Sequence, residues 1–321
     1  MTIFLMLVGL ALLLLGANYL TEGYSAIAKR FGISEFVIGL TIVAVGTSAP
    51  EFVVSLISTF NGTTDVAIGN ILGSNIFNAL MILGITAAIR PIVIERNTLS
   101  RDIPFGLLAA VVLMICGIDA WLNGSEGVIT RSEGLLMLCF LVVFMVYSFI
   151  TAKRDEAPTQ EQPIEDASTK ARPIWIGIIM IAGGLAGLIY GGDLFLKYAV
   201  LFARDMGLSE AVIAVTLMAG GTSMPELITC VIAAVKNKGQ LALGNVIGSN
   251  ISNVFLILGT CATVSPLQLG NILPIDLVIL AAASLLIAVT AFTFRRNEID
   301  RAEGGIFVLL YITYIIYLLM R

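Results

Sequence analysis

Long apolar runs alternate with short polar connections along most of this chain of 321 residues. A helix needs about 20 apolar residues to cross a bilayer, because each residue advances the helix axis by about 1.5 Å. The runs that approach or exceed this length are 3–28, 34–60, 66–89, 103–120, 132–151, 174–203, 209–235, 241–264, 272–294 and 304–320. The pattern therefore predicts an all-α membrane protein with ten transmembrane helices.

One connection is much longer and more polar than the others. Residues 152–172 include the acid-rich stretch DEAPTQEQPIED, which has too few apolar side chains to form a packed core. This segment predicts a linker that divides the chain into two halves of five helices each, 1–151 and 173–321.

Basic residues are distributed unevenly between the two sides of the predicted bundle. Lys and Arg concentrate in the cytoplasmic loops of membrane proteins. Fourteen of the 18 Lys and Arg residues fall in the loops after predicted helices 1, 3, 5, 7 and 9, and four fall elsewhere. This bias predicts a cytoplasmic linker and both termini outside, in a multi-pass protein of the plasma (inner) membrane.

Composition supports a lipid environment and narrows the possible chemistry. Hydrophobic residues make up 58% of the chain and charged residues 12%, with a mean hydropathy of +0.99, whereas soluble domains carry about 25% charged residues. The net charge of −4 argues against a nucleic-acid partner, which would require a basic surface. The chain has no histidine and its four cysteines form no CxxC pair, so we expect neither a zinc centre nor another resident cofactor.

An internal repeat is the strongest signal in the sequence. A shift of 175 residues aligns Gly32–Gly84 with Gly207–Gly259 without a gap, and 24 of the 53 aligned positions are identical. The identities cluster at polar and helix-breaking positions, which disfavours the alternative of a duplicated membrane protein that transports nothing. Because each half has an odd number of predicted helices, the second copy would enter the membrane upside down. Inverted repeats are typical of secondary transporters, which hold the substrate near the midplane between the repeats.

The repeated segment contains a motif that combines a helix breaker and an acid, GTSAPE in the first copy and GTSMPE in the second. Pro50 and Pro225 lack an N–H and clash with the carbonyl four residues earlier, so each helix must open there. Freed main-chain groups are tolerated in a membrane where they face protein, water or an ion. An ionised carboxylate at that depth costs at least about 2.5–3.5 kcal/mol, which marks Glu51 and Glu226 as candidate functional groups.

The repeated segment continues with GNILGSNIFN in the first copy and GNVIGSNISN in the second. Side chains four residues apart share one face of a helix, so each copy presents a row of three polar side chains along one helix face. These groups are Asn70, Ser74 and Asn78 in the first copy and Asn245, Ser249 and Asn253 in the second. Neutral oxygen donors that face two glutamates predict a coordination shell. The glycines of the same segment favour close packing against another helix.

Helix breaks, hydroxyls and carboxylates in one short segment indicate a cage of hard oxygen ligands. The hydroxyls belong to Thr47, Ser48, Thr222 and Ser223. Such a cage suits Ca²⁺, which takes 6–8 oxygen ligands, and also Na⁺, and it offers no soft ligand for copper or zinc. The residues alone therefore predict a cation transporter whose site is built around both glutamates.

The chain resembles the sodium/calcium exchanger family, within the calcium/cation antiporter superfamily. The resemblance covers the ten predicted helices, the cytoplasmic linker and both copies of the GTSxPE and GSNxxN motifs, which are highly specific to that group. It implies exchange of Na⁺ for Ca²⁺ by alternating access. It favours sodium over protons as the driving ion, because proton/calcium exchangers carry a different, asparagine-bearing motif where this chain has Gly-Thr-Ser.

The resemblance also implies ligands residue by residue. A central Ca²⁺ site would use the carboxylates of Glu51 and Glu226 with the carbonyls of Thr47 and Thr222. Flanking Na⁺ sites would use two mirrored sets, which are Ala44, Thr47, Ser48, Glu51 and Ser74, and Ala219, Thr222, Ser223, Glu226 and Ser249. A middle position would involve Asn78 and Asn253. Some relatives have Asp in place of Asn253, so the asparagine leaves two formal charges in the cage and weighs against potassium coupling.

Two alternative functions remain open from the sequence. A proton-coupled antiporter of Ca²⁺ or another divalent cation would use the same glutamates as proton carriers. An intramembrane hydrolase would need two catalytic aspartates or a set of metal ligands, and the predicted helices contain neither. The expected partners are Ca²⁺, Na⁺ and membrane lipid, and we expect the chain to act as a monomer without enzymatic activity.

Overall fold

The computed structural model describes residues 1–31, 34–123, 127–154, 173–206, 219–270, 272–290, 292–293 and 297–320. Within these ranges the protein is predominantly helical. In chain order the α-helices are α1 (Thr2–Phe31), α2 (Glu35–Ile38), α3 (Ala44–Thr47), α4 (Ala49–Phe60), α5 (Thr64–Ile76), α6 (Leu83–Ile89), α7 (Ile103–Asn123), α8 (Arg131–Arg154), α9 (Ile174–Asp205), α10 (Ala219–Gly221), α11 (Met224–Val235), α12 (Gly239–Ser252), α13 (Gly259–Val264), α14 (Pro274–Thr290) and α15 (Arg301–Met320).

Short π-helical segments and two-residue strands lie between these helices. The π-helical segments are Gly39–Val43, Phe77–Ile82, Thr98–Asp102 and Asn253–Leu258. The strands are β1 (Ile92–Val93), β2 (Val128–Ile129), β3 (Leu267–Gln268) and β4 (Glu298–Ile299). The π-helical segments continue neighbouring α-helices without a break, so α5 and α6 form one span, as do α12 and α13.

In the described part of the chain, seven helical stretches are long and apolar enough to cross a membrane: Thr2–Ile27, Thr64–Ile89, Thr98–Ile118, Arg131–Ser148, Ile174–Asp205, Gly239–Val264 and Arg301–Met320. A bent pair, Phe36–Thr47 with Ala49–Phe60, makes an eighth if it is one span. Two shorter apolar helices, Met224–Val235 and Pro274–Thr290, fall within two further predicted runs. Because residues 207–218 lie outside the described residues, the count of ten remains a prediction.

A helix break stands before each of the two prolines. α3 ends before Ser48, whose ψ of 10° is not helical, and α4 starts directly after it with Pro50 in its first turn. The two helical parts meet at an angle of 44°. In the second half, Ser223 also has a ψ of 10°, and Pro225 lies in the first turn of α11. The missing N–H of each proline therefore coincides with the start of a new helix.

α1 and α9 run antiparallel and pack together more extensively than any other described pair of elements. Their backbones touch at glycines. A Cβ built on Gly16 would lie 2.8 Å from the carbonyl oxygen of Gly184, and a Cβ on Gly184 would lie 2.8 Å from that of Gly16. Such close approach between membrane helices requires small residues, because any side chain would separate the backbones.

The spans Thr64–Ile89 and Gly239–Val264 lie at the centre of the bundle. In their most apolar windows 78% and 94% of the residues are buried, against 22–33% in the other five long spans. The outer spans expose large apolar side chains such as Phe4, Trp175 and Tyr190. An exposed apolar surface of this extent suits contact with lipid.

Glycines also bring α12 close to the π-helical segment Gly39–Val43. A Cβ on Gly248 would lie 2.1 Å from the carbonyl oxygen of Leu40, and a Cβ on Gly39 would lie 2.5 Å from that of Leu241. The packing role predicted for the glycines of the second repeat copy therefore holds for Gly248. This contact places the broken helix of the first half against the polar face of α12.

Two short antiparallel ribbons join the halves of the chain, which the all-α prediction does not include. β1 pairs with β4, with Ile92 opposite Ile299. β2 pairs with β3, with Val128 opposite Gln268. Each ribbon takes one strand from each half of the sequence. Sequence pattern cannot reveal such strands, because two residues are too short for a detectable alternation and the partner is distant along the chain.

Candidate cation-binding site

Glu51 and Glu226 lie in the first turns of α4 and α11, directly after the two helix breaks. Both side chains are fully buried, with 0% of their surface exposed. The N-terminus of a helix carries a partial positive charge, which stabilises a carboxylate in the first turn. Each break therefore provides a favourable position for a negative charge in the interior of the bundle.

Two serines connect these carboxylates across the halves of the chain. Ser48 Oγ donates to Glu226 Oε1 at 3.0 Å, and Ser223 Oγ donates to Glu51 Oε1 at 2.9 Å. Ser74 Oγ adds a longer contact to Glu51 Oε1, at 3.5 Å. The two glutamates thus belong to one cluster, in which residues 175 positions apart make equivalent contacts.

The hydroxyls of Thr47 and Thr222 bond to asparagines of the central spans. Thr47 Oγ1 donates to Asn245 Oδ1, and Thr222 Oγ1 donates to Asn70 Oδ1, both at 3.3 Å. Thr47 is fully buried, whereas Thr222 is partly exposed. These bonds hold the two broken helices against α12 and α5, respectively.

The remaining small residues of the predicted ligand sets lie beside this cluster. Ser249 Oγ donates to the carbonyl oxygen of Ala44 at 3.5 Å, and both residues are fully buried. Ala219 is the first residue of α10, and its side chain lies outside the described residues. The structure therefore places Ala44 and Ser249 together, whereas in the mirrored pair only Ser74 has a described side chain.

Four buried asparagines, Asn75, Asn78, Asn250 and Asn253, form what we call the asparagine cluster. Asn78 Nδ2 donates to Asn250 Oδ1 at 3.1 Å, and Asn253 Nδ2 donates to Asn75 Oδ1 at 2.9 Å. The Nδ2 atoms of Asn75 and Asn250 donate to each other's main-chain carbonyl, at 3.1 Å and 3.2 Å. No member of the cluster is more than 5% exposed.

Four oxygens of the site are buried without a hydrogen-bond partner in the described part of the chain. They are Oε2 of Glu51 and Glu226 and Oδ1 of Asn78 and Asn253. A buried acceptor that lacks a partner costs about 1–3 kcal/mol, and more when it is charged. A cation bound at these oxygens would remove this cost. Among the described residues, no three or more His, Cys, Asp or Glu side chains lie together in a way that could hold a metal ion, so a cation here would meet two carboxylates and otherwise neutral oxygens.

Helical spacing identifies only part of this site. Counting by four from Asn70 reaches Ser74 and Asn78 and passes over Asn75, because successive residues are about 100° apart around a helix. The same holds for Asn250 in the second copy. The signal that could have revealed both residues is their identity at equivalent positions of the repeat.

Several known proteins similar to this chain are named as antiporters or ion exchangers. The family described as "Sodium/calcium exchanger protein" matches residues 1–150 and 176–320. The putative antiporter CaxA of Alkalimonas amylolytica is 36% identical over 318 residues, which cover 98% of this chain and 97% of the relative. The sodium/calcium exchanger MaX1 of Methanosarcina acetivorans is 32% identical over 348 residues, covering 98% and 97%.

A solved membrane exchanger shares the fold over nearly the whole length. The sodium-calcium exchanger NCX_Mj, soaked with 2.5 mM Na⁺ and 0.1 mM Ca²⁺, has a TM-score of 0.81 and 30% identity, covering 98% of this chain and 97% of that one. Its structure soaked with 2.5 mM Na⁺ and 10 mM Sr²⁺ has a TM-score of 0.82, also at 30% identity. The family match covers both halves of the sequence. The chain therefore belongs to the sodium/calcium exchanger family of membrane antiporters.

Proposed function

We propose that this protein exchanges Na⁺ for Ca²⁺ across the membrane by alternating access, with the ions bound near the midplane between two inverted five-helix repeats. We base the proposal on four buried oxygens that have no hydrogen-bond partner among the described residues, one each on Glu51, Glu226, Asn78 and Asn253. Ca²⁺ takes 6–8 oxygen ligands, including carboxylates and amide carbonyls.

The central ion in this proposal is Ca²⁺, held by the carboxylates of Glu51 and Glu226 with the main-chain carbonyls of Thr47 and Thr222. Na⁺ occupies the flanking positions, and the middle position involves Asn78 and Asn253. The flanking ligands are Ala44, Thr47, Ser48, Glu51 and Ser74 on one side, and Ala219, Thr222, Ser223, Glu226 and Ser249 on the other. The bonds of Ser48 and Ser223 to the opposite carboxylate support this arrangement.

Charge balance explains why the ions would exchange rather than leak. Two carboxylates neutralise one Ca²⁺ or two Na⁺, and any further Na⁺ carries net charge that couples transport to the membrane potential. An empty cage leaves Glu51 and Glu226 charged and buried, which is costly in a low-dielectric interior. The cage therefore changes sides only when it is loaded.

Alternating access would arise from movement of α1 and α9 relative to a fixed core. The two helices are in direct backbone contact at Gly16 and Gly184, which supports their movement as a unit. The central spans that carry Asn78 and Asn253 are the most buried of the described spans, which supports their role as the fixed part.

The proposed arrangement in the membrane follows from the repeat and the charges. Residues 1–151 and 173–321 form the two repeats, the linker 152–172 lies in the cytoplasm, and both termini lie outside the plasma (inner) membrane. The bias of basic residues supports this orientation. One chain supplies both carboxylates and all four free oxygens, which supports function as a monomer.

Proton coupling is less favoured than sodium coupling. The matched family and the relative MaX1 are sodium/calcium exchangers. Protonation of Glu51 and Glu226 would also leave the amide oxygens of Asn78 and Asn253 without a partner, since a proton bound to a carboxylate neutralises that group alone. A cation can satisfy both kinds of oxygen.

The test is uptake of ⁴⁵Ca²⁺ into sodium-loaded proteoliposomes that contain the purified protein. We expect rapid uptake by the wild type and uptake at the level of empty vesicles for Glu51→Gln and Glu226→Gln, because each change removes a charge that balances Ca²⁺. Asp205→Asn is the matched control, since this exposed carboxylate at the end of α9 lies outside the cage. Full uptake by either glutamine variant would disprove the site assignment.

A further inference from the structure

Asn75 and Asn250 hold the two central spans together at the point where each span changes from α-helix to π-helix. α5 ends at Ile76 and α12 ends at Ser252, and a π-helical segment follows each. The Nδ2 atoms of Asn75 and Asn250 donate to each other's main-chain carbonyl at 3.1 Å and 3.2 Å. The donors of both amides are therefore engaged by the backbone of the opposite span.

The acceptors of the same two amides bind a second pair of asparagines. Asn250 Oδ1 accepts from Asn78 Nδ2 at 3.1 Å, and Asn75 Oδ1 accepts from Asn253 Nδ2 at 2.9 Å. The pairing is crosswise, because each acceptor lies on the span opposite its donor. Thus Asn250 provides the acceptor for the Asn78 amide, and Asn75 provides the acceptor for the Asn253 amide.

These bonds fix which end of the side-chain amide faces the cage in Asn78 and Asn253. A reversed Asn78 amide would set its Oδ1 against Asn250 Oδ1, and two acceptors at that distance repel each other. In the observed orientation, Oδ1 of Asn78 and Oδ1 of Asn253 are buried and have no partner among the described residues. Both free oxygens are therefore a consequence of the amides of Asn250 and Asn75.

We infer that Asn75 and Asn250 are positioning residues, which turn the amides of Asn253 and Asn78 so that both present oxygen, and no N–H, to the transported cation. This role rests on the proposed function, in which Asn78 and Asn253 are ligands. Asn75 and Asn250 act through these neighbours, since their own amide atoms are all engaged within the asparagine cluster.

Replacement of Asn250 by leucine removes the acceptor at similar volume. The Asn78 amide is then free to turn its N–H groups toward the cage. Partners that orient metal ligands typically contribute about 10–100-fold to metal affinity. We expect Asn250→Leu and Asn75→Leu each to weaken Ca²⁺ binding by about tenfold or more. We expect a smaller loss of affinity for Na⁺, because a monovalent ion is attracted less strongly to each oxygen.

The test is a set of double-mutant cycles, with ⁴⁵Ca²⁺ binding to the purified full-length protein as the readout. If Asn250 acts through Asn78, then Asn250→Leu should cause no further loss in an Asn78→Leu background, yet should still cause its full loss in an Asn253→Leu background. Asn75→Leu should show the opposite pattern. A purely structural role predicts the same loss in both backgrounds.

Asn250→Asp provides the rescue, because it keeps an acceptor for Asn78 Nδ2 while it loses the bond to the carbonyl of Asn75. We expect it to bind Ca²⁺ within about threefold of wild type, on the scale of the 10–100-fold contribution of such partners. If Asn250→Leu does not fold, Asn250→Ala removes the same acceptor and carries the same prediction.

The possible outcomes distinguish the positioning role of Asn75 and Asn250 from the proposed exchange function. Equal losses in both backgrounds, or an aspartate variant as weak as the leucine variant, would overturn the positioning role and leave the exchange function intact. A wild-type protein that binds no Ca²⁺ in competition with Na⁺ would overturn the proposed function itself.

Discussion

Single residues determine how the proposed cage would present oxygen to a cation. Each carboxylate has one oxygen bound to a serine of the opposite half, Ser223 for Glu51 and Ser48 for Glu226, and one oxygen without a partner among the described residues. A serine that binds Oε1 also restricts the rotation of the carboxylate, which keeps Oε2 available to a cation in the proposed cage. Hydrogen bonds to charged groups contribute about 1.5–3 kcal/mol.

Removal of either serine hydroxyl should therefore weaken cation binding. We expect Ser48→Ala and Ser223→Ala each to reduce Ca²⁺ affinity by about tenfold, which corresponds to about 1.4 kcal/mol. Equilibrium binding of ⁴⁵Ca²⁺ to the purified variants measures this affinity. Ser284→Ala in α14 is the control, because this serine is also buried but lies outside the site. Wild-type affinity in both site variants would show that the serines do not orient the carboxylates.

At the scale of helices, close packing and helix breaks set where these residues lie. The prolines end a helix on each side of the site, and glycines let α1 approach α9 and let α12 approach the broken helix of the first half. Gly183 and Gly184 illustrate how local this requirement is. A Cβ on Gly184 would meet the backbone of α1, whereas a Cβ on Gly183 would meet nothing within 4 Å.

These neighbouring glycines give a matched pair of variants. Gly184→Ala should lower the melting temperature of the detergent-solubilised protein, because overpacking costs about 1–3 kcal/mol. Gly183→Ala should leave the melting temperature unchanged or raise it, since alanine is favoured over glycine within a helix by about 0.5–1 kcal/mol. Equal melting temperatures for the two variants would contradict the packing of α1 on α9.

Elements with a local cause could be predicted from the sequence, and elements that depend on distant contacts could not. The breaks at Pro50 and Pro225 follow from proline chemistry alone. The asparagine cluster needs two spans to cross, so Asn75 and Asn250 give no sign of their role in a single helix. The π-helical segments could not be predicted from the spacing of residues on a helix face either, because that spacing assumes a constant 3.6 residues per turn.

At the scale of the whole molecule, the two halves make equivalent features. Gly62 and Asn237, which are 175 residues apart, both have positive φ, 78° and 64°, in the turns after α4 and α11. The ribbon of β1 with β4 and the ribbon of β2 with β3 each join one half to the other. If the repeats are inverted, these two equivalent turns lie on opposite sides of the membrane.

Cysteine labelling in intact cells tests that inversion. In a Cys139→Ser background, which removes the exposed native thiol, a membrane-impermeant maleimide should label Asn61→Cys directly. It should label Asn237→Cys only after the membrane is permeabilised, because the basic residues predict a cytoplasmic location for that turn. Labelling of both cysteines from the same side would contradict the inverted repeat.

The central claim is that Glu51, Glu226 and the asparagine oxygens form one cage that couples Ca²⁺ to Na⁺. The most direct measurement is ⁴⁵Ca²⁺ uptake into proteoliposomes in which gradients of Na⁺, K⁺ and H⁺ are imposed one at a time. We predict uptake with an outward Na⁺ gradient and none with a K⁺ or H⁺ gradient alone. Uptake driven by a pH gradient in the absence of Na⁺ would contradict it.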